Sequence, residues 1–137
     1  MKKFLLILLC ILPLFAQAKM ETSVAGFIDY PGSGRQIYNF NPGWRFFRGD
    51  VKGAEAKNFD DSTWEVVSTP HSVQLMPAEA SGCRNYQGVA WYRKHFVIPA
   101  DTKGRDVTIH FEAIMGKQAI YLNGKLIKKH LGGYLPI

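Results

Sequence analysis

Along residues 106–112, Asp-Val-Thr-Ile-His-Phe-Glu, the apolar side chains Val107, Ile109 and Phe111 alternate with Thr108, His110 and Glu112. That two-residue period predicts a half-buried strand. The same period runs through Gly88–Pro99, with Tyr92, Phe96 and Ile98 on one side and Trp91, Arg93 and His95 on the other. Ile37–Phe40, Trp44–Phe47 and Trp64–Ser68 predict shorter strands upstream. Gln118–Leu122 and Lys125–His130 flank Asn123-Gly124, a pair that predicts a two-residue type I′ hairpin because both central residues need positive φ. Gly, Pro, Asn and Asp recur between these runs and leave little room for helices. One helical turn is expected around residues 56–64, with Asp60 or Asp61 as its cap. Many short antiparallel strands at this spacing predict an all-β fold, a β-sandwich or jelly roll.

The first residues follow a different pattern. Lys2-Lys3 precede an apolar run from Phe4 to Phe15, and Ala16-Gln17-Ala18 supplies small residues at a cleavage point. This predicts a signal peptide over residues 1–18 and export to the periplasm or beyond the cell. The run is too short to span a bilayer comfortably and is interrupted by Pro13. No membrane association is expected after cleavage. The bulky Leu9 before Cys10 disfavours a lipoprotein cut. Residues 19–37 read as an extended segment, and residues 38–137 as one domain. At 137 residues the chain has room for one ordinary domain.

Charge and chemistry narrow the function by exclusion. The formal charge of +6 falls to +4 once Lys2 and Lys3 are removed. Lys125, Lys128 and Lys129 cluster on one hairpin arm, where lysine blocks edge-to-edge pairing. No basic helix or paired-aromatic motif accompanies them, so nucleic acid is not an expected partner. His71, His95, His110 and His130 lack metal-ligand spacing, no serine sits in a nucleophile elbow, and no Gly-rich loop cradles phosphate. No metal or cofactor is expected. Cys83 has no disulfide partner in the mature chain. It reads as a buried small hydrophobe, a thiol paired beyond residue 137, or a nucleophile, and the first fits best. Asp60-Asp61 is the obvious carboxylate pair, but neighbours in a turn cap or terminate it rather than face each other across a scissile bond. Trp44, Phe46, Phe47, Trp64, Tyr86, Trp91, Tyr92 and Tyr134 suit either a core or the apolar faces of sugars.

Three segments are more specific than their chemistry. Phe59-Asp60-Asp61-Ser62-Thr63-Trp64, followed by Pro70-His71, resembles the F-D-D-S-x-W and P-H signature of family 2 glycoside hydrolases, the β-galactosidase and β-glucuronidase group. Gly88–Pro99 is similar to their G-x-x-W-Y-R-K-x-F-x-x-P strand. Phe111–Ile137 is similar to their F-E hairpin that ends in H-x-G-G-Y-x-P-F. Lys128, Ile137 and Ser72-Val73 depart from residues common in the family.

The resemblance implies an N-terminal sugar-binding jelly roll, incomplete at its C-terminus, that scaffolds a secreted β-glycosidase hydrolysing O-glycosyl bonds. It also implies that the two catalytic glutamates lie on a barrel outside this chain, so that no catalytic residue is expected here and the chain alone should be inactive. The expected partners are a β-glycoside and the enzyme's remaining domains. In related enzymes a loop ahead of the W-Y-R strand contributes polar contacts to the substrate. Here that loop is residues 81–88, with Asn85, and beside it Arg84 and Tyr86, as candidate substrate-binding residues. A free-standing carbohydrate-binding module without hydrolase activity is the alternative.

Overall fold

The computed structural model describes residues 32–75 and 86–137. The Asn41-Pro42-Gly43 break, with Gly43 at φ 74°, launches β1, Trp44–Arg48. β1 pairs antiparallel with β2, Glu65–Val67, through Trp44↔Val67, Arg45↔Val66 and Phe46↔Glu65. Its other edge pairs antiparallel with β3, Ala90–Arg93, from Arg45↔Arg93 to Arg48↔Ala90. The sheet order is therefore β2-β1-β3. A hairpin follows, formed by β4, Gly116–Leu122, and β5, Lys125–Gly132. Asn123 at φ 51° and Gly124 at φ 82° make its turn, both in the left-handed region that the sequence required. The ladder slips between Ile120 and Tyr121, so β5 carries a bulge there.

Alternation on the pleat gives the sheet two unlike faces. Phe46 and Val67 are buried on one of them. There Phe46 meets His71 at 4.7 Å and Tyr92 at 4.9 Å between ring centroids. The opposite face carries Phe47, Trp91 and Arg93, against which Trp64 packs from the loop before β2. The hairpin touches this side through Trp91 and Tyr121, 6.1 Å apart. A Cβ on Gly124 would lie 3.7 Å from the Glu55 carbonyl, so the hairpin turn rests on the loop at 55–57. The core among the described residues is small: Phe46, Ala54, Trp64 and Val67. Val66, Val97, Met115, Ile127, Leu131 and Leu135 are all more than half exposed.

The all-β class holds, and several boundaries are corrected. Of the long run Gly88–Pro99, only Ala90–Arg93 is strand, because β1 offers partners only along Arg45–Arg48. Residues 106–112 alternate as read but form no strand. A strand is defined by its neighbour, and here Phe111 exchanges two backbone hydrogen bonds with Ile137 at 3.0 and 2.9 Å without a ladder that extends along the run. Ile37–Phe40 contributes a single bridge at Tyr38. The expected helical turn at 56–64 is a string of tight turns instead. Asp60 does cap, but it closes a local turn by accepting the Ser62 N–H at 3.0 Å. A short 3₁₀ turn, Ala100–Thr102, was not foreseen. Pro99 starts it, and the Thr102 hydroxyl donates to the Pro99 carbonyl at 2.6 Å. The signal peptide and Cys83 lie outside the described residues.

Candidate functional site

Two of the segments that carry the family resemblance lock together around one carboxylate. Arg93 and His95 are two apart on a strand-like backbone and so point the same way. Asp61 meets both: its Oδ2 accepts Arg93 Nε at 2.8 Å and His95 Nε2 at 2.8 Å. Asp61 and Arg93 are nearly buried, with side chains 9% and 12% exposed, whereas His95 is 62% exposed. The Arg93 guanidinium also donates to the Ala54 carbonyl and lies 5.3 Å from the Phe59 ring centroid. The Phe59 and Trp64 rings meet at 5.4 Å, tilted 59° to each other, and Trp64 lies against Phe47 at the same distance with a 30° tilt. Burial by itself would raise the Asp61 pKa. The hydrogen bonds and positive charges of Arg93 and His95 outweigh it and hold the carboxyl below its ordinary range. Asp61 is thus a fixed anion that fastens the 53–64 loop to β3.

The Pro70-His71 segment is held on the other face. The Thr69 N–H donates to the Asn41 carbonyl at 3.0 Å, and the Thr69 hydroxyl reaches Asn41 Oδ1 at 3.0 Å. The Thr69-Pro70 peptide is cis. His71 Nδ1 shares a 2.8 Å hydrogen bond with the Tyr92 hydroxyl. Burial, with the nearby Glu65 charge, pushes the Tyr92 phenol above its ordinary pKa, so this hydroxyl keeps its proton across the physiological range.

Beside these two anchors lies an open recess of about 420 Å³. β1 supplies Phe47 and Arg48, the loop before β2 supplies Thr63 and Trp64, and β2 begins at its rim with Glu65. His71–Leu75 form the remaining wall. The Tyr86 ring lies beneath the Arg48 guanidinium, 5.8 Å from centroid to carbon, and its hydroxyl donates to the Val89 carbonyl at 2.9 Å. Of the three residues expected to bind substrate, Tyr86 is therefore placed next to a residue of the recess. Asn85 and Arg84 lie outside the described residues.

Sequence reasoning missed Arg48, which carries no motif, and it missed the partnership of Asp61 with Arg93 and His95. A signal for the latter was present: two cationic side chains on one side of a strand require a buried anion or open water. No group of three or more metal-ligating side chains occurs among the described residues. No described helix is long and apolar enough to cross a membrane.

A small all-β unit whose charged motif residues bond to one another and to its own backbone, with an open recess beside its sheet, fits one part of a larger protein. Comparison with known proteins says of which class. No family model matches the chain. A β-galactosidase of Thermoanaerobacter pseudethanolicus is 40% identical over 103 residues, which is 75% of this chain and 14% of that protein. A β-glucuronidase of Formosa agariphila is 37% identical over 112 residues, 76% of this chain and 11% of that protein. Among solved structures, a Bacteroides uniformis β-glucuronidase superposes with a TM-score of 0.63 at 31% identity, covering 71% of this chain and 11% of its own. A glycosyl hydrolase family 2 member from Bacteroides cellulosilyticus gives 0.63 at 32% identity, with 72% and 14% covered. The chain is homologous to one part of the β-galactosidase and β-glucuronidase group of family 2 glycoside hydrolases, as its motifs indicated. It spans only 11–14% of the length of these relatives.

Proposed function

We propose that this chain is the sugar-binding scaffold domain, of jelly-roll type, of an exported β-glycosidase that hydrolyses O-glycosyl bonds with catalytic residues carried elsewhere in the polypeptide. The observation that carries the reading is the Asp61–Arg93–His95 cluster: the charged residues of the family motifs are spent on holding the domain together, which is what a scaffold requires. Its contribution to substrate would come from the loop at 81–88, with Asn85 as the chief polar contact and Arg84 and Tyr86 beside it. In an enzyme where this segment is joined to a family 2 catalytic barrel, Asn85→Ala should lower kcat/KM by about 10-fold, since about 1.4 kcal/mol of transition-state binding is one decade. Unchanged kinetics would remove the loop assignment and leave the scaffold in place.

Export is the second element of the proposal, and it rests on the Lys2-Lys3, apolar run and Ala16-Gln17-Ala18 pattern. Mass spectrometry of the exported product should find an N-terminus at Lys19. A product that keeps Lys2-Lys3, or one lipidated at Cys10, would sink this part.

A further inference from the structure

The Tyr86 side chain is held from three directions. Its hydroxyl donates to the Val89 carbonyl at 2.9 Å, and the Gly49 N–H, just past the end of β1, donates to that same carbonyl at 2.9 Å. Its ring lies 5.8 Å from the Arg48 guanidinium, within reach of a cation–π contact. The ring also folds back over Gly88, where a Cβ would stand 2.6 Å from the Tyr86 hydroxyl oxygen and 2.7 Å from its Cζ. The φ of Gly88 lies outside the left-handed region, so its backbone suits any residue, and the atoms nearest that Cβ all belong to Tyr86. What requires glycine at 88 is the tyrosine ring. Tyr86 thus ties the residues that lead into β3 to the end of β1.

We infer that Tyr86 is a positioning residue: with Arg48 and Gly88 it fastens the downstream end of the loop at 81–88 to the sheet, and it serves the substrate only by placing Asn85, its neighbour in the chain. The inference rests on the reading of that loop as a substrate contact and divides the work within it. A phenol has one proton, and here Val89 takes it, so the hydroxyl has no hydrogen left to donate to a sugar. The ring is turned to Arg48 and Gly88 instead.

Tryptic cleavage of the native chain after Arg84 reads the fastening, because proteolysis of a folded protein follows the population of the locally open form. Gly88→Ala should evict the ring and speed that cleavage about 10-fold, the opening that one hydrogen bond and one cation–π contact together resist. Tyr86→Ala, which introduces no clash, should do the same, and adding Gly88→Ala to it should change nothing further. Cleavage after Lys57, in the loop that Asp61 anchors, should keep the parent rate in every variant. In the enzyme made by joining this segment to a family 2 barrel, Tyr86→Ala and Asn85→Ala should each lower kcat/KM, with the double variant no worse than Asn85→Ala alone. Parent-rate cleavage after Arg84 in both single variants, an equal rise after Lys57, or additive losses of kcat/KM overturns the inference. Unchanged kinetics in Asn85→Ala would instead remove the loop reading, while the cleavage after Arg84 still decides whether Tyr86 holds the loop.

Discussion

Asp61→Ala should leave the chain without a cooperative unfolding transition. The substitution strands the Arg93 guanidinium, 12% exposed, beside the Ala54 carbonyl with no counter-charge. Removing one partner of a buried ion pair costs about 3–5 kcal/mol. The core among the described residues has no large side chain below 2% exposure, so little reserve exists to absorb that loss. Asp61→Asn keeps one carbonyl acceptor and should be less damaging. His95→Ala should cost under about 1 kcal/mol, because the 62% exposed imidazole can be replaced by water. Urea titrations followed by circular dichroism give the ranking. An Asp61→Ala chain as stable as the parent would show that the cluster does not hold the fold.

The same carboxylate sets an acid limit. Its folded pKa lies below the ordinary value of 3.8, so its contribution is complete above that value and is lost as pH falls through the lower folded one. Stability should therefore decline below about pH 4. In Asp61→Asn the decline should be shallower but not absent. Asp60 also titrates low, held by its hydrogen bonds from the Ser62 side chain and backbone.

How much of this was legible in the sequence depends on whether a residue's partner is local. The hairpin was readable because Asn123-Gly124 dictates its own geometry within four residues. The side of the strand on which Arg93 and His95 fall was readable from alternation alone. Their partner was not: Asp61 lies 32 residues from Arg93, and adjacent Asp60 differs from it only in which way the turn points it. The strand at 106–112 failed for the same reason in reverse. Its apolar period is real, but period reports a face that could be covered, and pairing is supplied by other backbone, here by Ile137 opposite Phe111. The place of Arg48 at the recess was invisible because it depends on residues 63–65 and 71–75 lying beside it, which no local pattern reports. The recess is a consequence of register, and register is fixed only when strands meet.

The purified chain, given nitrophenyl β-galactoside or β-glucuronide, should release no nitrophenol above the buffer blank. A retaining glycosidase needs an acid/base carboxyl and a nucleophilic carboxylate about 5 Å apart, on either side of the scissile bond. The two adjacent carboxylates here are turned to other tasks: Asp60 accepts the Ser62 N–H at 3.0 Å, and Asp61 is held by Arg93 and His95. Their pKa values are lowered, which is the wrong direction for a general acid that must hold a proton at neutral pH. Glu65 stands at the recess with no second carboxylate among that recess's lining residues. The contrast with an intact enzyme is therefore all or nothing, since glycosidase-class accelerations exceed about a millionfold. Joining the chain to a family 2 barrel should bring turnover, and Asp60→Asn in that fusion should leave it unchanged. Hydrolysis that scales with the amount of the isolated chain and persists in Asp60→Asn and Asp61→Asn variants would place a catalytic pair where none is expected and overturn the scaffold assignment.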